Sequence, residues 1–119
     1  GDDYKTAIMQ YYEDALRQKY FYHAFTKEDY LRNFLFDAVA DCSANYVTSQ
    51  IKHYCGSAPI SQELTLVIQF NAAGNAQLFV EWIRGGMTTP PDIMAAANFA
   101  STPEPLKQYF NCEKISALY

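Results

Sequence analysis

One long apolar stretch, from Ser61 to Gly86, constrains the fold of this chain more than any other feature. Its apolar residues recur at the three- and four-residue spacing of an α-helix, and they cover more than one side of that helix. Arg84 lies in the expected last turn, and Gly85 and Gly86 follow as a helix stop. The stretch therefore predicts a helix of about seven turns that contacts other elements on at least two sides.

A helical wheel divides this stretch into two faces. The first face is expected to pack in the core of the domain, and it comprises Leu64, Val67, Ile68, Asn71, Asn75, Leu78, Phe79 and Trp82. The second face has an apolar centre between charged flanks, as a subunit interface has, and its apolar members are Leu66, Phe70, Ala73 and Val80. Gly74 costs about 1 kcal/mol relative to alanine in mid-helix, which predicts a close helix approach or a cavity there.

Two amides, Asn71 and Asn75, interrupt the first face four residues apart. A buried amide without a hydrogen-bond partner costs about 1–3 kcal/mol, so each of them must bind something. One interpretation is that neighbouring helices satisfy both amides. The other is that they are polar anchors in an otherwise apolar ligand pocket. The sequence leaves both interpretations open.

The rest of the chain also shows helical periodicity, and no alternating strand pattern occurs in it. The predicted helices span about 3–17, 18–25, 27–54, 61–84, 90–100 and 103–110, followed by a tail at 111–119 that we expect to be frayed. Thr26 and Thr89 are the expected N-caps of the third and fifth helices, and Gly56 is the expected C-cap of the third. The pattern predicts one all-α domain over 1–119, an antiparallel bundle of five to six helices.

Composition argues against several classes of function. With 9 Lys and Arg against 13 Asp and Glu, the net charge of −4 does not suit binding to nucleic acid phosphates. No apolar run approaches the about 20 residues of a membrane span, and no secretory signal is visible. The three cysteines, at unrelated spacings, fit reduced thiols in a cytoplasmic protein.

The residue types that usually supply catalysis or metal binding do not form a recognisable pattern. His23 and His53 are the only histidines, and neither lies at a metal-binding spacing from a cysteine or a carboxylate. Asp37 and Asp41 share an otherwise polar helix face, which is typical of surface charge. Phosphate-binding glycine loops and nucleophile motifs do not occur. We therefore expect no enzymatic activity, no metal site and no cofactor.

Several segments together resemble the C-terminal regulatory domain of TetR-family transcriptional regulators. A tyrosine-rich helix (YYEDALRQ) is followed by a short aromatic helix (KYFYHAF) and a long helix (DYLRNFLFDAVADCSANYV). The most specific segment is Glu81-Trp82-Ile83, followed by Gly-Gly and a Pro-Asp helix start (FVEWIRGGMTTPPDIM). The chain looks most like the branch common in Firmicutes that includes regulators of dihydroxyacetone kinase. The resemblance extends from about Tyr4 to Phe110.

The resemblance implies a cytoplasmic homodimer that belongs to a DNA-binding transcriptional regulator. In such proteins an N-terminal helix-turn-helix domain binds a palindromic operator. That domain is absent from this sequence, which begins with Gly1 rather than Met and so suggests a fragment. The last two long helices of each subunit, here 61–84 and 90–100, pair into a four-helix dimer interface. The candidate interface residues are Leu66, Phe70, Ala73, Val80, Ile93 and Phe99.

The resemblance also implies that a small ligand, where one exists, lies among the preceding helices and changes the separation of the two DNA-reading domains. The candidate pocket residues, each equally suited to packing alone, are Tyr12, Cys42, Tyr46, Asn71, Asn75 and Leu78. They predict a small apolar or aromatic effector that acts by population shift. The alternative function is a coregulator module that binds a protein partner without a small ligand, as the likeness to dihydroxyacetone-kinase regulators implies.

Overall fold

The computed structural model describes residues 2–56 and 59–110. Its helices are α1 (Asp2–Arg17), α2 (Lys19–Ala24), α3 (Asp29–Cys55), α4 (Gln62–Arg84), α5 (Pro91–Ala100) and α6 (Glu104–Lys107), and a 3₁₀ turn at Gln108–Phe110 follows α6. These ranges contain no strand, so the prediction of an all-α bundle is confirmed. The predicted tail at 111–119 lies outside the described residues.

Helix α4 begins and ends close to the predicted residues. The Oγ of Ser61 accepts a hydrogen bond of 3.1 Å from the backbone N–H of Leu64, which makes Ser61 the N-cap. Gly85 caps the other end, and Gly86 has a φ of 90°, a backbone conformation that glycine adopts without strain. Gly56, with a φ of 69°, ends α3 in the same way. These glycine stops are confirmed.

Thr26 and Thr89, in contrast, are not the N-caps that the sequence predicts. Helix α3 begins after Glu28, and the Thr26 hydroxyl instead donates a 2.7 Å hydrogen bond to the carbonyl of His23. Helix α5 begins beyond Thr89, whose carbonyl accepts a 2.8 Å hydrogen bond from the Nε1 of Trp82. At Thr26 a local backbone acceptor competes with the capping geometry for the hydroxyl. Thr89 is not the cap because α5 begins one residue later than predicted, with Pro90 at the N-cap position and Pro91 as its first residue.

Helices α3 and α4 form the most extensive pair, and α1 packs mainly against α5. Their buried side chains form two core clusters. The first core cluster is Tyr12, Ala15, Leu35, Val39, Ala76, Phe79, Val80, Trp82, Ile83, Met87 and Met94. The second core cluster is Tyr4, Val47, Ile51, Ile68, Leu106 and Phe110. Helix α1 contributes to both, so it runs along the whole core.

None of the helices in the described part of the chain has the length and hydropathy of a membrane-spanning segment.

Candidate functional site

A cavity of about 200 Å³ lies where the two core clusters meet, among α1, α3, α4 and α5. Its lining residues are Tyr4, Ala7, Ile8, Tyr11, Tyr12, Val39, Cys42, Ser43, Tyr46, Val47, Asn75, Phe79 and Asn98. Proteins with a closed apolar cavity of about 150 Å³ bind benzene. The cavity therefore has room for one small ring system.

Helix α1 forms one wall of the cavity, because its residues 4, 7, 8, 11 and 12 share a single helical face. The ring of Tyr12 is almost fully buried and meets Trp82 edge-on, with 5.0 Å between ring centroids. Its ring also lies 5.5 Å from that of Phe79. The position of this wall is thus fixed by aromatic packing against α4.

The exposed side of the cavity is formed by Tyr11, Cys42 and Tyr46, whose side chains reach the solvent. The thiol of Cys42 is free. Burial raises the pKa of Tyr11, and the neighbouring side chains of Tyr22 and Cys42 act in the same direction. The tyrosine hydroxyl is therefore protonated at neutral pH.

Asn75 and Ser43 form a polar edge of the cavity. The Nδ2 of Asn75 donates a hydrogen bond of 3.1 Å to the Oγ of Ser43, and both residues line the space. The bond links α4 to α3 in the middle of the bundle. The Asn75 amide is thus satisfied by a neighbouring helix and also faces the cavity, which combines the two interpretations that the sequence left open.

A second amide of the cavity, Asn98 on α5, has an unmet hydrogen-bonding requirement. The residue is only 6% exposed, and its Oδ1 atom has no hydrogen-bond partner among the described residues. Its side chain also interacts with the Tyr12 hydroxyl. Burial raises the pKa of Tyr12 from 10.0 to about 12, and this interaction opposes the rise. Buried polar atoms usually have a hydrogen-bond partner, so this oxygen is an exception among the described residues.

Asn71 does not line the cavity. Its side chain lies beside the hydroxyl of Tyr4, and its buried Nδ2 atom lacks a partner within residues 2–56 and 59–110. Burial raises the pKa of Tyr4, although the nearby side chains of Thr102 and Asn71 act in the opposite direction. Asn71 is therefore one side chain removed from the cavity, behind Tyr4.

The cavity carries no formal charge of its own. Of the described residues that line it, none is an aspartate, glutamate, lysine, arginine or histidine. The described ranges also hold no group of three or more histidine, cysteine, aspartate or glutamate side chains that is arranged to bind a metal ion. The chemistry that the cavity offers is therefore apolar contact with a few neutral hydrogen-bonding groups.

Four of the six candidate pocket residues line the cavity, namely Tyr12, Cys42, Tyr46 and Asn75. The other two do not. Asn71 lies behind Tyr4, and Leu78 packs, half-buried, against the first core cluster. Asn98 lines the cavity without being among the predicted residues, although an amide in the alanine-rich segment PDIMAAANFA is the same kind of signal as an amide on the apolar face of α4.

The candidate interface residues fall into two groups. Leu66 and Phe70 on α4 are 59% and 81% exposed, Ile93 on α5 is 55% exposed, and Ala73 is exposed as well. Val80 is only 5% exposed and belongs to the first core cluster, so it has almost no surface to offer a partner.

Phe99 also lies apart from the exposed group. It is half-buried, with the Nζ atoms of Lys5 and Lys107 at 5.9 and 5.7 Å from its ring centroid. Its ring is therefore partly covered by the chain's own cations.

The sequence of residues 2–100 matches the family model of TetR type that is described as "Transcriptional regulator C-terminal region". Comparison with curated proteins found no match. Comparison with solved structures found none either.

Proposed function

The chain belongs to the TetR-type family of transcriptional regulator C-terminal regions, and from this we propose that it senses a small effector for a DNA-binding regulator. One observation carries the proposal. The cavity is large enough for a small ring system, and its mostly apolar wall includes two amides, Asn75 and Asn98. A chain that only needed a packed core would gain stability by filling this space.

The effector acts, in this proposal, by changing the position of α1. One face of this helix lines the cavity, and its N-terminal end, at Asp2, is where a preceding domain would be attached. In the full regulator that preceding part is a helix-turn-helix domain that binds the operator. An effector that binds one position of α1 more tightly than another shifts the population of the two, and with it the separation of the DNA-reading domains.

The same proposal includes a cytoplasmic homodimer without enzymatic activity. Support comes from the large exposed side chains of Leu66 and Phe70 on α4 and of Ile93 on α5. Exposed apolar side chains that together form a contiguous patch often mark a contact with another protein. We propose that α4 and α5 of two copies pack together and cover them.

A second candidate function is binding of a partner protein, as in the dihydroxyacetone-kinase-regulator branch that the EWIRGG segment resembles. One observation favours it. The short helix α2 and the start of α3 expose several aromatic rings, those of Tyr20, Phe21, Tyr30 and Phe34. In that case the signal arrives through this aromatic surface, and the cavity stays empty.

A ligand screen with a filled-cavity variant tests the proposal. We expect a subset of small metabolites and aromatic compounds to raise the melting temperature of the 119-residue chain, since a ligand stabilises the state that it binds. The variant Ala7→Leu places extra atoms in the cavity, and we expect it to lose the response. The control Ala38→Leu changes an exposed position of α3 outside the lining, and we expect it to keep the response.

An equal response of Ala7→Leu and the original chain would show that binding occurs elsewhere. A screen without any stabilising compound would favour the partner-protein function instead.

A further inference from the structure

We propose that the ligand of this cavity carries an uncharged amide or lactam group, whose N–H donates to the Oδ1 of Asn75 and whose carbonyl accepts from the hydroxyl of Ser43. The inference rests on the proposed function, because it assigns a functional group to the effector of that same cavity. It follows from three properties of the Asn75–Ser43 pair: its free hydrogen-bonding atoms, its position at the cavity and the neutral wall around it.

The hydrogen bond between Asn75 and Ser43 uses only part of the bonding capacity of the two side chains. The Nδ2 of Asn75 donates to the Oγ of Ser43 over 3.1 Å. Within the described residues, the Oδ1 of Asn75 accepts no hydrogen bond and the Ser43 hydroxyl donates none. An amide oxygen can accept two hydrogen bonds, and a hydroxyl can donate one. The pair therefore keeps a free acceptor and a free donor.

The free proton of Ser43 is unusual for a hydroxyl in this bundle. A serine or threonine in a helix often donates to the carbonyl four residues earlier. Thr65 and Thr102 both make this bond. Ser43 makes no such bond in the described part of the chain, and its Oγ meets the Asn75 amide of α4 instead. Its proton is therefore available to a ligand.

The position of the pair keeps it within reach of the cavity. Asn75 and Ser43 both line the cavity and are half-buried. Among the described residues, the buried side-chain atoms that lack a partner are the Nδ2 of Asn71 and the Oδ1 of Asn98, so the Oδ1 of Asn75 is not buried. The corresponding oxygen of Asn98 is enclosed by protein. A ligand would therefore find its polar contacts on α3 and α4 rather than on α5.

The wall around the pair favours a neutral group with a donor and an acceptor side by side. None of the described lining residues carries a formal charge, so a carboxylate or an ammonium ion would lose hydration without gaining a charged partner. A ketone or an ether accepts a hydrogen bond but offers no donor to the Asn75 oxygen. An amide holds a neutral N–H next to a carbonyl, which matches the free acceptor and the free donor of the pair.

A matched pair of probes tests the hydrogen bond to Asn75. Benzamide and acetophenone have nearly the same size and shape and share a carbonyl, but benzamide has an NH₂ group where acetophenone has a methyl group. Acetophenone displaces the water that solvates the Oδ1 of Asn75 without replacing its hydrogen bond, which lowers affinity. We expect calorimetry on the 119-residue chain to show benzamide binding about tenfold more tightly. This comparison needs no variant, so its result does not depend on whether an altered chain folds.

Two alanine variants, four residues apart on α4, locate the preference. Asn75→Ala removes the acceptor without adding bulk to the cavity. We expect it to reverse the order of the two probes, because acetophenone is the more apolar molecule. The control Asn71→Ala removes a buried amide outside the lining and should keep the preference for benzamide.

The results separate the inference from the proposed function. Equal or tighter binding of acetophenone to the original chain overturns the inference, as does a preference for benzamide that survives Asn75→Ala. Either result leaves the cavity as an effector site if Ala7→Leu abolishes the binding. Failure of both probes to bind at millimolar concentration also overturns the inference. In that event, a stabilising compound of another chemistry whose effect Ala7→Leu abolishes would still support the effector site, and the lack of any such compound would remove both.

Discussion

Asn75 donates a 3.1 Å hydrogen bond through its Nδ2 to the Oγ of Ser43, and this bond joins α4 to α3 at the wall of the cavity. It is a bond between side chains far apart in sequence, and it lies in the most extensive helix pair of the bundle. The cavity therefore has a polar edge that is already held in place without a ligand. The Oδ1 of Asn98, the other amide of the lining, is buried and has no hydrogen-bond partner among the described residues. The two amides of the lining therefore differ in how far the fold buries and satisfies them.

Removing the Ser43 hydroxyl should destabilise the fold modestly. We expect Ser43→Ala to lower the free energy of unfolding by about 1 kcal/mol, because the half-buried Asn75 amide loses its partner. Urea denaturation measures the change, and Ser49→Ala, at an exposed position of the same helix, is the control. The loss should not add to that of Asn75→Ala in the double variant, since both act on one bond. Fully additive losses would mean that the bond contributes nothing.

Alkaline pH should destabilise the protein through Tyr12. Its folded pKa of about 12 lies above the value of 10.0 of a free tyrosine. Below pH 10 the hydroxyl is protonated in both states, and the stability is complete. As the pH rises towards 12, only the unfolded chain ionises, so the free energy of unfolding falls, by about 2–3 kcal/mol at most from this residue. Tyr4, whose pKa burial also raises, adds to the fall.

The variant Tyr12→Phe isolates this contribution. We expect its stability to fall less steeply above pH 10 than that of the original chain, as followed by chemical denaturation at several pH values. Tyr20→Phe, which removes a hydroxyl from a ring that is 89% exposed, should retain the original pH dependence. An equal slope in all three proteins would show that Tyr12 does not titrate as proposed.

A charge at the centre of the exposed α4 face should dissociate the proposed homodimer. We expect Phe70→Asp to weaken self-association at least tenfold, because the ring, exposed in the single chain, would be buried in the dimer, and an unpaired carboxylate takes its place. Sedimentation equilibrium measures the change. Tyr30→Asp alters an equally exposed ring at the start of α3 and should leave association intact. An original chain that is monomeric at tens of micromolar would contradict the dimer itself.

Gly74 should tolerate alanine within a single chain. A Cβ placed on this mid-helix glycine has no heavy atom within 4 Å, so the chain's own packing does not require glycine there. In the Phe70→Asp background we expect Gly74→Ala to raise the free energy of unfolding by about 1 kcal/mol, the usual gain from alanine in a helix. In the original background we expect it to weaken association, as it would if α4 of a partner approached closely. A destabilised single chain would instead assign Gly74 a role within the fold.

The helices were predictable because their signals are local. Glycine at 56 and 86 ends a helix through a positive φ, and no distant residue is needed to recognise it. The N-caps were less predictable, since the Thr26 hydroxyl can reach either the next helix or the carbonyl of His23, and the sequence does not say which bond forms.

The candidate site was predictable only in part, for a related reason. A wheel orders residues around one helix but does not say which helix packs on which face. Val80 appears on the interface face of the wheel, yet it is buried in the first core cluster. Asn98 was not predicted as a lining residue, because its environment depends on the packing of α5 against α1, which has no local signal in the sequence.

Trp82 links the segment that precedes α5 to the aromatic wall of the cavity. Its Nε1 bonds to the carbonyl of Thr89, and its ring lies against Tyr12, on the wall of the cavity. It is also the single tryptophan of the chain. All indole emission therefore originates from one buried place, one ring away from the space where an effector would enter. A non-fluorescent effector that displaces Tyr12 would change the intensity or the wavelength of that emission. The tryptophan fluorescence of the protein would therefore report whether the cavity is occupied.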